Sequence, residues 1–242
     1  MLREALIGGA AVTAYYLGMV AILLGVRRLF GPPGELVRKL FHISVAASVF
    51  VLLHLFETWY LAVLVTLVFG AAVYLVIRWA ERFPALMRAL RERHPGEIRS
   101  SLVLMFITMA ILLSLGWGWL GAGSKFLVVA PIMAWGFGDA AAALVGKKWG
   151  KRRLRHPLVD NRKTAEGTAA MVAFAGAAIF VTLAAYTAWP WYSCLLATAL
   201  VAPVTATTEL MTRNGLDTIT VPTVTFWWLL AVVNALAWLG VL

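Results

Sequence analysis

Four ionisable side chains are clustered near residue 40. They are Glu35, Arg38, Lys39 and His42. Their spacing of three, four and seven residues from the first would place all of them on one face of a helix. A charge cluster at a membrane surface, with Glu35 paired to Lys39, would explain the long basic side chains but explains His42 poorly, because an apolar stretch follows it. Since ionisable groups in an apolar segment are costly unless paired or functional, we interpret the cluster as part of a site.

A single acid, Asp139, interrupts an apolar segment directly after the sequence Gly-Phe-Gly. A carboxylate in such surroundings is costly without a cation or a hydrogen-bond donor beside it. Small residues on both sides would let another helix or a ligand approach the backbone closely. Because Mg²⁺ is commonly held by one or two carboxylates plus phosphate oxygens, we interpret Asp139 as a ligand of a Mg²⁺ ion that bridges the protein to a polyphosphate. The alternative is a structural aspartate that pairs with a neighbouring helix.

A third motif begins the sixth apolar segment and reads Lys163-Thr164-Ala165-Glu166-Gly167-Thr168. The N–H groups at a helix N-terminus, a lysine and two threonines would together bind phosphate. The spacing does not match a Walker P-loop. Thr164 is equally suited to be an N-cap residue, so the motif alone supports both a phosphate site and an ordinary helix start.

A fourth motif places Glu209 at the end of the seventh apolar segment and Asp217 shortly before the eighth. With Glu35, Asp139 and Glu166, these acids fall in one layer that also contains most of the basic residues. Carboxylates, lysines and arginines at one membrane face suit the transfer of a phosphoryl or nucleotidyl group to a membrane-bound alcohol. A metal ion and cations there would offset the charge of the transferring phosphate.

The composition indicates which elements must position these side chains. The chain is 62% hydrophobic and 13% charged, with a mean hydropathy of +0.86, so a soluble domain would have too few polar residues to cover it. A spanning helix needs about 20 mostly apolar residues. The sequence therefore predicts an all-α, polytopic transmembrane helix bundle of about eight spans. These are Ala5–Val26, Leu36–Phe56, Trp59–Ile77, Ser101–Leu120, Phe126–Val145, Gly167–Ala188, Trp191–Leu210 and Thr220–Leu242.

The distribution of basic residues predicts the orientation. Of the 21 lysines and arginines, 19 fall on one side of the eight-span arrangement, and Arg3 and Lys125 are the exceptions. Because basic residues are retained in short cytoplasmic loops, we expect both termini outside and the polar layer at the cytoplasmic face of the cell membrane. The same placement excludes nucleic acid as the reason for the net charge of +10.

Taken together, the four motifs resemble those of the membrane-embedded CTP-dependent lipid kinases, which include dolichol, phytol and fungal-type diacylglycerol kinases and are related to phosphatidate cytidylyltransferases. The resemblance covers about residues 35 to 222. It implies transfer of the γ-phosphate of CTP, or another nucleoside triphosphate, to the hydroxyl of an isoprenoid alcohol such as a polyprenol, dolichol or phytol. Thr164 and Thr168 stand where the family usually has serines, and Thr218 stands where it commonly has asparagine.

On this hypothesis one domain, residues 1–242, carries the whole site, and each polar motif has an expected role. The candidate catalytic residues are Glu35, His42, Asp139 and Lys163. The candidate nucleotide-binding residues are Arg38, Lys39, Lys147, Arg162, Lys163, Thr164, Glu166, Gly167 and Thr168. The candidate Mg²⁺ ligands are Asp139, with Glu209 or Asp217. Either His42 or a carboxylate would accept the proton of the alcohol.

Two other functions would also involve the polar motifs and basic loops described above. A phosphatidate cytidylyltransferase would attack the α-phosphate of CTP and release pyrophosphate. A transporter or scaffold would use the basic loops to bind anionic lipid headgroups, but this leaves the layer of acids unexplained. The lipid is not specified by the sequence, and the small residues of the sixth segment allow close helix packing within one chain or in an oligomer.

Overall fold

Long helices account for most of the computed structural model, which describes residues 1–83, 96–154, 157, 159, 163–213 and 215–242, with only the backbone at 97 and 98. The helices are α1 (Leu2–Phe30), α2 (Gly34–Leu55), α3 (Trp59–Ala80), α4 (Glu97–Leu112), α5 (Phe126–Trp149), α6 (Ala165–Tyr186), α7 (Trp191–Met211) and α8 (Asp217–Trp238). A π-helix, Leu113–Trp119, continues α4, and a short 3₁₀ turn, Ala122–Ser124, precedes α5. Eight helical segments are long and apolar enough to cross a membrane, which confirms the predicted polytopic α-helical bundle.

Several helices extend beyond the apolar runs that predicted them. Helix α1 continues past Val26 through two arginines to Phe30, and α5 continues past Val145 through two lysines to Trp149. Basic side chains in a last helical turn interact favourably with the C-terminal carbonyls, and their long stems can reach the membrane surface. Hydropathy therefore marks the part of a helix that lies in the membrane, whereas the helix itself ends later.

The fourth predicted span is not a regular α-helix throughout. The π-helical turns at its end contain Gly116 and Gly118, which lie against neighbouring helices. A methyl group on Gly116 would come within 2.6 Å of Val128, and one on Gly118 within 2.9 Å of Trp59. The missing side chains thus let α3 and α5 pack directly against this segment.

Helix α5 lies at the centre of the bundle and is buried along most of its length. It packs against α2, α6 and α8. Its contact with α6 is close because glycines meet across it: a methyl group on Gly167 would lie 2.9 Å from the carbonyl oxygen of Ala142 and 3.3 Å from the Cα atom of Gly146. Further along the same contact, Gly138 faces Met171. Asp139, on the central helix, is therefore enclosed by neighbouring helices.

At the end of the bundle opposite the predicted polar layer, two charged side chains stabilise connections between helices. The Glu4 carboxylate accepts hydrogen bonds of 2.9 Å from the backbone N–H groups of Glu57 and Thr58, at the start of α3. The Lys125 ammonium donates to the carbonyl of Leu53 at 2.8 Å and lies 4.1 Å from the ring centroid of Trp117. Glu4 thus satisfies backbone N–H groups at the N-terminus of α3, and Lys125 satisfies a carbonyl group near the C-terminus of α2.

The close contact between α5 and α6 generates a stability prediction. We expect Gly167→Ala to lower the free energy of unfolding by about 1–3 kcal/mol, because the added methyl group meets backbone atoms that cannot rotate away. The matched control is Gly18→Ala in α1, where nothing lies within 4 Å of the added methyl group. The control should be neutral or stabilise by about 0.5–1 kcal/mol. Thermal unfolding in detergent would measure both, and equal midpoints would contradict the described packing.

Candidate active site

A buried ion pair joins α2 to α5. The ammonium of Lys39, in the second turn of α2, donates a hydrogen bond to the carboxylate of Asp139, halfway along α5. The two residues are only 4% and 8% exposed, so each supplies most of the charge compensation that water would otherwise provide. The cation beside Asp139 is thus a lysine of a neighbouring helix, which is the pairing that the structural alternative for Asp139 predicted. The role of Asp139 as a Mg²⁺ ligand stays a prediction.

His42 lies one turn deeper in α2 and stacks against Trp135, which lies one turn before Asp139 in α5. The two rings are 6.0 Å apart between centroids and inclined by 25°. The imidazole is within electrostatic range of the Asp139 carboxylate. Its Nδ1 atom is buried and has no hydrogen-bond partner in the described part of the chain. This nitrogen therefore has unused hydrogen-bonding capacity within the described residues.

The pairing of Glu35 with Lys39, suggested above as part of the surface-cluster alternative, is wrong. Glu35 instead accepts a hydrogen bond of 2.6 Å from Arg38, three residues later. Lys39 is directed toward α5, because the packing of α2 on that helix brings Asp139 within reach of its ammonium. The helical spacing correctly indicated a shared face, but the contact with α5 selects the partner.

A second ion pair lies between the start of α6 and the end of α7. The Lys163 ammonium is 2.9 Å from the Glu209 carboxylate, and both side chains are largely buried. The same ammonium also donates to the backbone carbonyl of Glu209 and, at 3.1 Å, to that of Thr212. Lys163 thus satisfies carbonyl groups at the C-terminus of α7 as well as a charge.

Asp217, the first residue of α8, brings a third carboxylate into this layer. It lies within electrostatic range of Asp139, Lys39 and Lys163, and of the indole of Trp135. It forms no ion pair with another described residue, in contrast to Asp139. Of the five predicted acids, Asp139, Glu209 and Asp217 therefore lie within electrostatic range of one another, and Asp217 is the one of these three without a lysine of its own.

These carboxylates fit a Mg²⁺ ion that is shared with a ligand. In the described ranges, no three His, Cys, Asp or Glu side chains converge to form a complete protein metal site. Mg²⁺ does not require one, because it is usually bound by one or two carboxylates and completes its octahedron with phosphate oxygens and water. Asp139 and Asp217 match that donor set. Asp139 and Glu209 are each paired with a lysine, but the lysine on Glu209 is also held by two backbone carbonyls, whereas the lysine on Asp139 is not.

The start of α6 is an ordinary capped helix. Thr164 is the N-cap and accepts a hydrogen bond of 3.1 Å from the N–H of Gly167. The N–H of Ala165 donates to the carbonyl of Arg152 at 2.9 Å, and the hydroxyl of Thr168 donates to the carbonyl of Thr164 at 3.1 Å. Because these groups already have partners, the described geometry does not favour the predicted phosphate cradle of backbone amides. The lysine side chains are better placed for that role.

The remaining predicted nucleotide-binding residues lie around the connection between α5 and α6. The Glu166 carboxylate accepts hydrogen bonds of 3.3 Å from the N–H of Arg152 and so orders this connection. Lys147 is exposed near the end of α5. Arg162 lies outside the described residues. Glu166 therefore acts on the chain's own backbone in this structure, and it does not face the ion pairs.

Trp135 is a site residue that the motif analysis missed. Its ring contacts His42 on one side and approaches Asp217 on the other. It also borders a narrow, mainly apolar cleft between α4, α5 and α8. The cleft is lined by Met105, Thr108, Met109, Ile132, Trp135, Thr218 and Pro222. A tryptophan one turn from a buried aspartate was the available signal, but tryptophan is common in membrane helices and is not distinctive alone.

One curated protein is similar to the chain over almost its whole length. It is described as phytol kinase, from Synechocystis sp., and is 28% identical over 235 residues, which cover 95% of this chain and 92% of the relative. No protein-family model matches the chain. No solved structure matches it either.

The similarity to phytol kinase supports the resemblance to membrane lipid kinases that the four motifs indicated, and the eight apolar helices are consistent with it. The chain is thus similar over almost its whole length to a curated phytol kinase, which supports its resemblance to the polyprenol and phytol kinase family of membrane lipid kinases.

Proposed function

We propose that the protein transfers the γ-phosphoryl group of a nucleoside triphosphate, CTP by the family resemblance, to the hydroxyl group of a membrane isoprenoid alcohol. The observation that carries the proposal is the layer formed by one buried lysine, one largely buried lysine and three carboxylates in an otherwise apolar bundle. Such a layer is costly in a membrane unless it has a function. The similarity to a phytol kinase supports a lipid alcohol as the acceptor.

The donor side would be formed by basic side chains. The Lys163 ammonium, whose donors are taken up by Glu209 and Thr212, would add positive charge to this layer without a direct contact to phosphate. The ammonium of Lys39 lies in the same layer as Asp217, and Arg38 lies one residue before Lys39. In surroundings with little water, charge-assisted contacts from these groups to phosphate oxygens are strong. They would orient the triphosphate and offset the charge that is shared by its oxygens during transfer.

Asp139 and Asp217 would hold the Mg²⁺ ion that accompanies the nucleotide, since the two carboxylates interact across α5 and α8. When bound, Mg²⁺ supplies neutralisation of the β- and γ-phosphate oxygens. The protein contributes the fixed position of the two carboxylates, which are anchored on helices rather than on loops. It also contributes the apolar helices that limit access of water to the phosphate.

The acceptor side would be the cleft beside Trp135. The cleft is too narrow for a hydrocarbon chain as it stands, and its flexible methionine side chains would have to move to admit one. Trp135 forms part of its wall and stacks against His42. The alcohol oxygen would form a bond to the γ-phosphorus as the bond to the β-phosphate oxygen breaks and the nucleoside diphosphate leaves. The unpaired, buried Nδ1 of His42 favours this residue over a carboxylate as the acceptor of the alcohol proton.

We also infer that the site faces the cytoplasm, where nucleoside triphosphates are available. The inference rests on the 19 of 21 basic residues that the eight-span arrangement assigns to one side. Lys39 and Lys163 belong to this set. The two remaining basic residues include Lys125, which stabilises the opposite end of the bundle.

A transfer assay with a labelled γ-phosphate tests the proposal. Purified protein in detergent would be incubated with Mg²⁺, γ-labelled CTP, ATP or GTP, and separately phytol, geranylgeraniol, a polyprenol, diacylglycerol or phosphatidate. We expect label on an isoprenoid alcohol and release of the matching nucleoside diphosphate. Release of pyrophosphate with phosphatidate, and no label on any alcohol, would identify a cytidylyltransferase. If no combination of nucleotide and lipid reacts, the proposal is contradicted, and the alternative of a transporter or scaffold that binds anionic lipid headgroups is favoured.

The metal-binding role of Asp139 gives a second test. We expect Asp139→Asn to reduce phosphoryl transfer by about 100-fold or more, because a neutral amide is a poor Mg²⁺ ligand. The variant should still insert, since the amide oxygen can accept the hydrogen bond from Lys39, but it should be less stable than wild type because the Lys39 ammonium loses its counter-charge. The matched control is Glu57→Gln, an exposed carboxylate at the opposite end of the bundle. Near-normal transfer by Asp139→Asn would remove Asp139 from the metal site.

A further inference from the structure

We propose that the ammonium of Lys39 holds the metal position at Asp139 until the metal–nucleotide complex arrives, and that it then moves to a phosphate oxygen. The inference rests on the proposed function for the identity of the ligand. It goes beyond that function by giving one side chain two successive partners, and it predicts that the protein does not bind the metal ion strongly before the nucleotide.

The first observation is the balance of charge in the buried layer. Two lysines, Lys39 and Lys163, lie among three carboxylates. Lys163 is committed to Glu209 and to two backbone carbonyls of α7. Lys39 is thus the lysine that compensates Asp139, and the nearby Asp217 adds a further negative charge. A divalent cation would suit this pair of carboxylates better than a single ammonium does.

The second observation is that Lys39 uses little of its hydrogen-bonding capacity. An ammonium group has three donors. Among the described residues the Lys39 ammonium donates only to Asp139, whereas the Lys163 ammonium has three acceptors. A buried ammonium with unused donors is able to donate a hydrogen bond to a phosphate oxygen as well. The flexible four-carbon stem of lysine allows the group to move without a change in the helix.

The two observations together couple metal binding to nucleotide binding. Before the nucleotide arrives, displacement of Lys39 by a metal ion would leave a buried ammonium without a partner, which is unfavourable. When a triphosphate accompanies the metal, the ammonium gains a phosphate oxygen as it loses the carboxylate. Lys39 thereby weakens binding of the metal ion alone relative to binding of the metal–nucleotide complex. Lys163 cannot perform this exchange, because it would have to leave the carbonyls at the end of α7.

Binding of Mn²⁺ in the absence of nucleotide tests this inference. Mn²⁺ replaces Mg²⁺ as a probe because its electron paramagnetic resonance signal distinguishes free from bound ions. The full chain in detergent would be titrated as wild type and as Lys39→Met, which removes the charge but keeps the length of the side chain. We expect the variant to bind Mn²⁺ about tenfold more tightly or more, because Asp139 is then without a cation. Wild type should approach this affinity only when CTP is added.

Three further variants make the result specific. Lys39→Gln retains a hydrogen-bond donor for Asp139 and decides the question if Lys39→Met does not fold. Adding Asp139→Asn to the Lys39 variant should restore weak binding, because the freed carboxylate is then absent. Lys148→Met, an exposed lysine near the end of α5, serves as the matched control and should leave Mn²⁺ affinity unchanged.

Unchanged or weaker Mn²⁺ binding by a folded Lys39 variant would overturn the inference, even if the protein transfers phosphate to an alcohol. Tighter binding that depends on Asp139 would support it, even if the acceptor proves not to be an isoprenoid alcohol. The comparison of wild type with the Lys39 variants is made without lipid or nucleotide, so its outcome is independent of the transfer assay.

Discussion

The structure depends on the requirement that charges within a membrane be compensated by other parts of the chain. The Lys39–Asp139 pair joins α2 to α5, and the Lys163–Glu209 pair joins the start of α6 to the end of α7. Loss of either member of such a pair leaves an uncompensated buried charge, which is far more costly than loss of an exposed pair. These contacts therefore fix which helices lie side by side at this end of the bundle.

Close backbone packing allows the short carboxylate side chains to take part. An aspartate side chain is too short to reach far, so Asp139 can act only if neighbouring helices approach the central helix. The glycines at 138, 146 and 167 permit this approach between α5 and α6, where any larger residue would contact backbone or side-chain atoms. The same packing encloses the site and limits water, which strengthens every charge interaction inside it. Small residues and charged residues thus form one functional unit.

Much of this arrangement could be predicted from the sequence, because hydropathy and charge report directly on the bilayer. The eight spans follow from the length of the apolar runs, and the interruption at Asp139 identified a residue that forms a buried ion pair between two helices. The ion-pair partners of the charged residues could not be predicted, since helix spacing shows which residues share a face but not which helix lies opposite that face. Glu35 pairs with Arg38, and Lys39 with Asp139, for this reason. The π-helix after α4 and the internal hydrogen bonds of the α6 N-terminus likewise depend on tertiary contacts.

The central claim is that the buried lysines and carboxylates form the nucleotide site. A structure of the protein determined with Mg²⁺ and a CTP analogue that cannot transfer its γ-phosphate would test it most directly. The account predicts density for the triphosphate between α2, α5 and α8, with the metal ion at Asp139 and Asp217 and the Lys39 ammonium against a phosphate oxygen. A nucleotide bound only to exposed basic residues such as Lys148 and Lys151, with the Lys39–Asp139 pair intact, would contradict it.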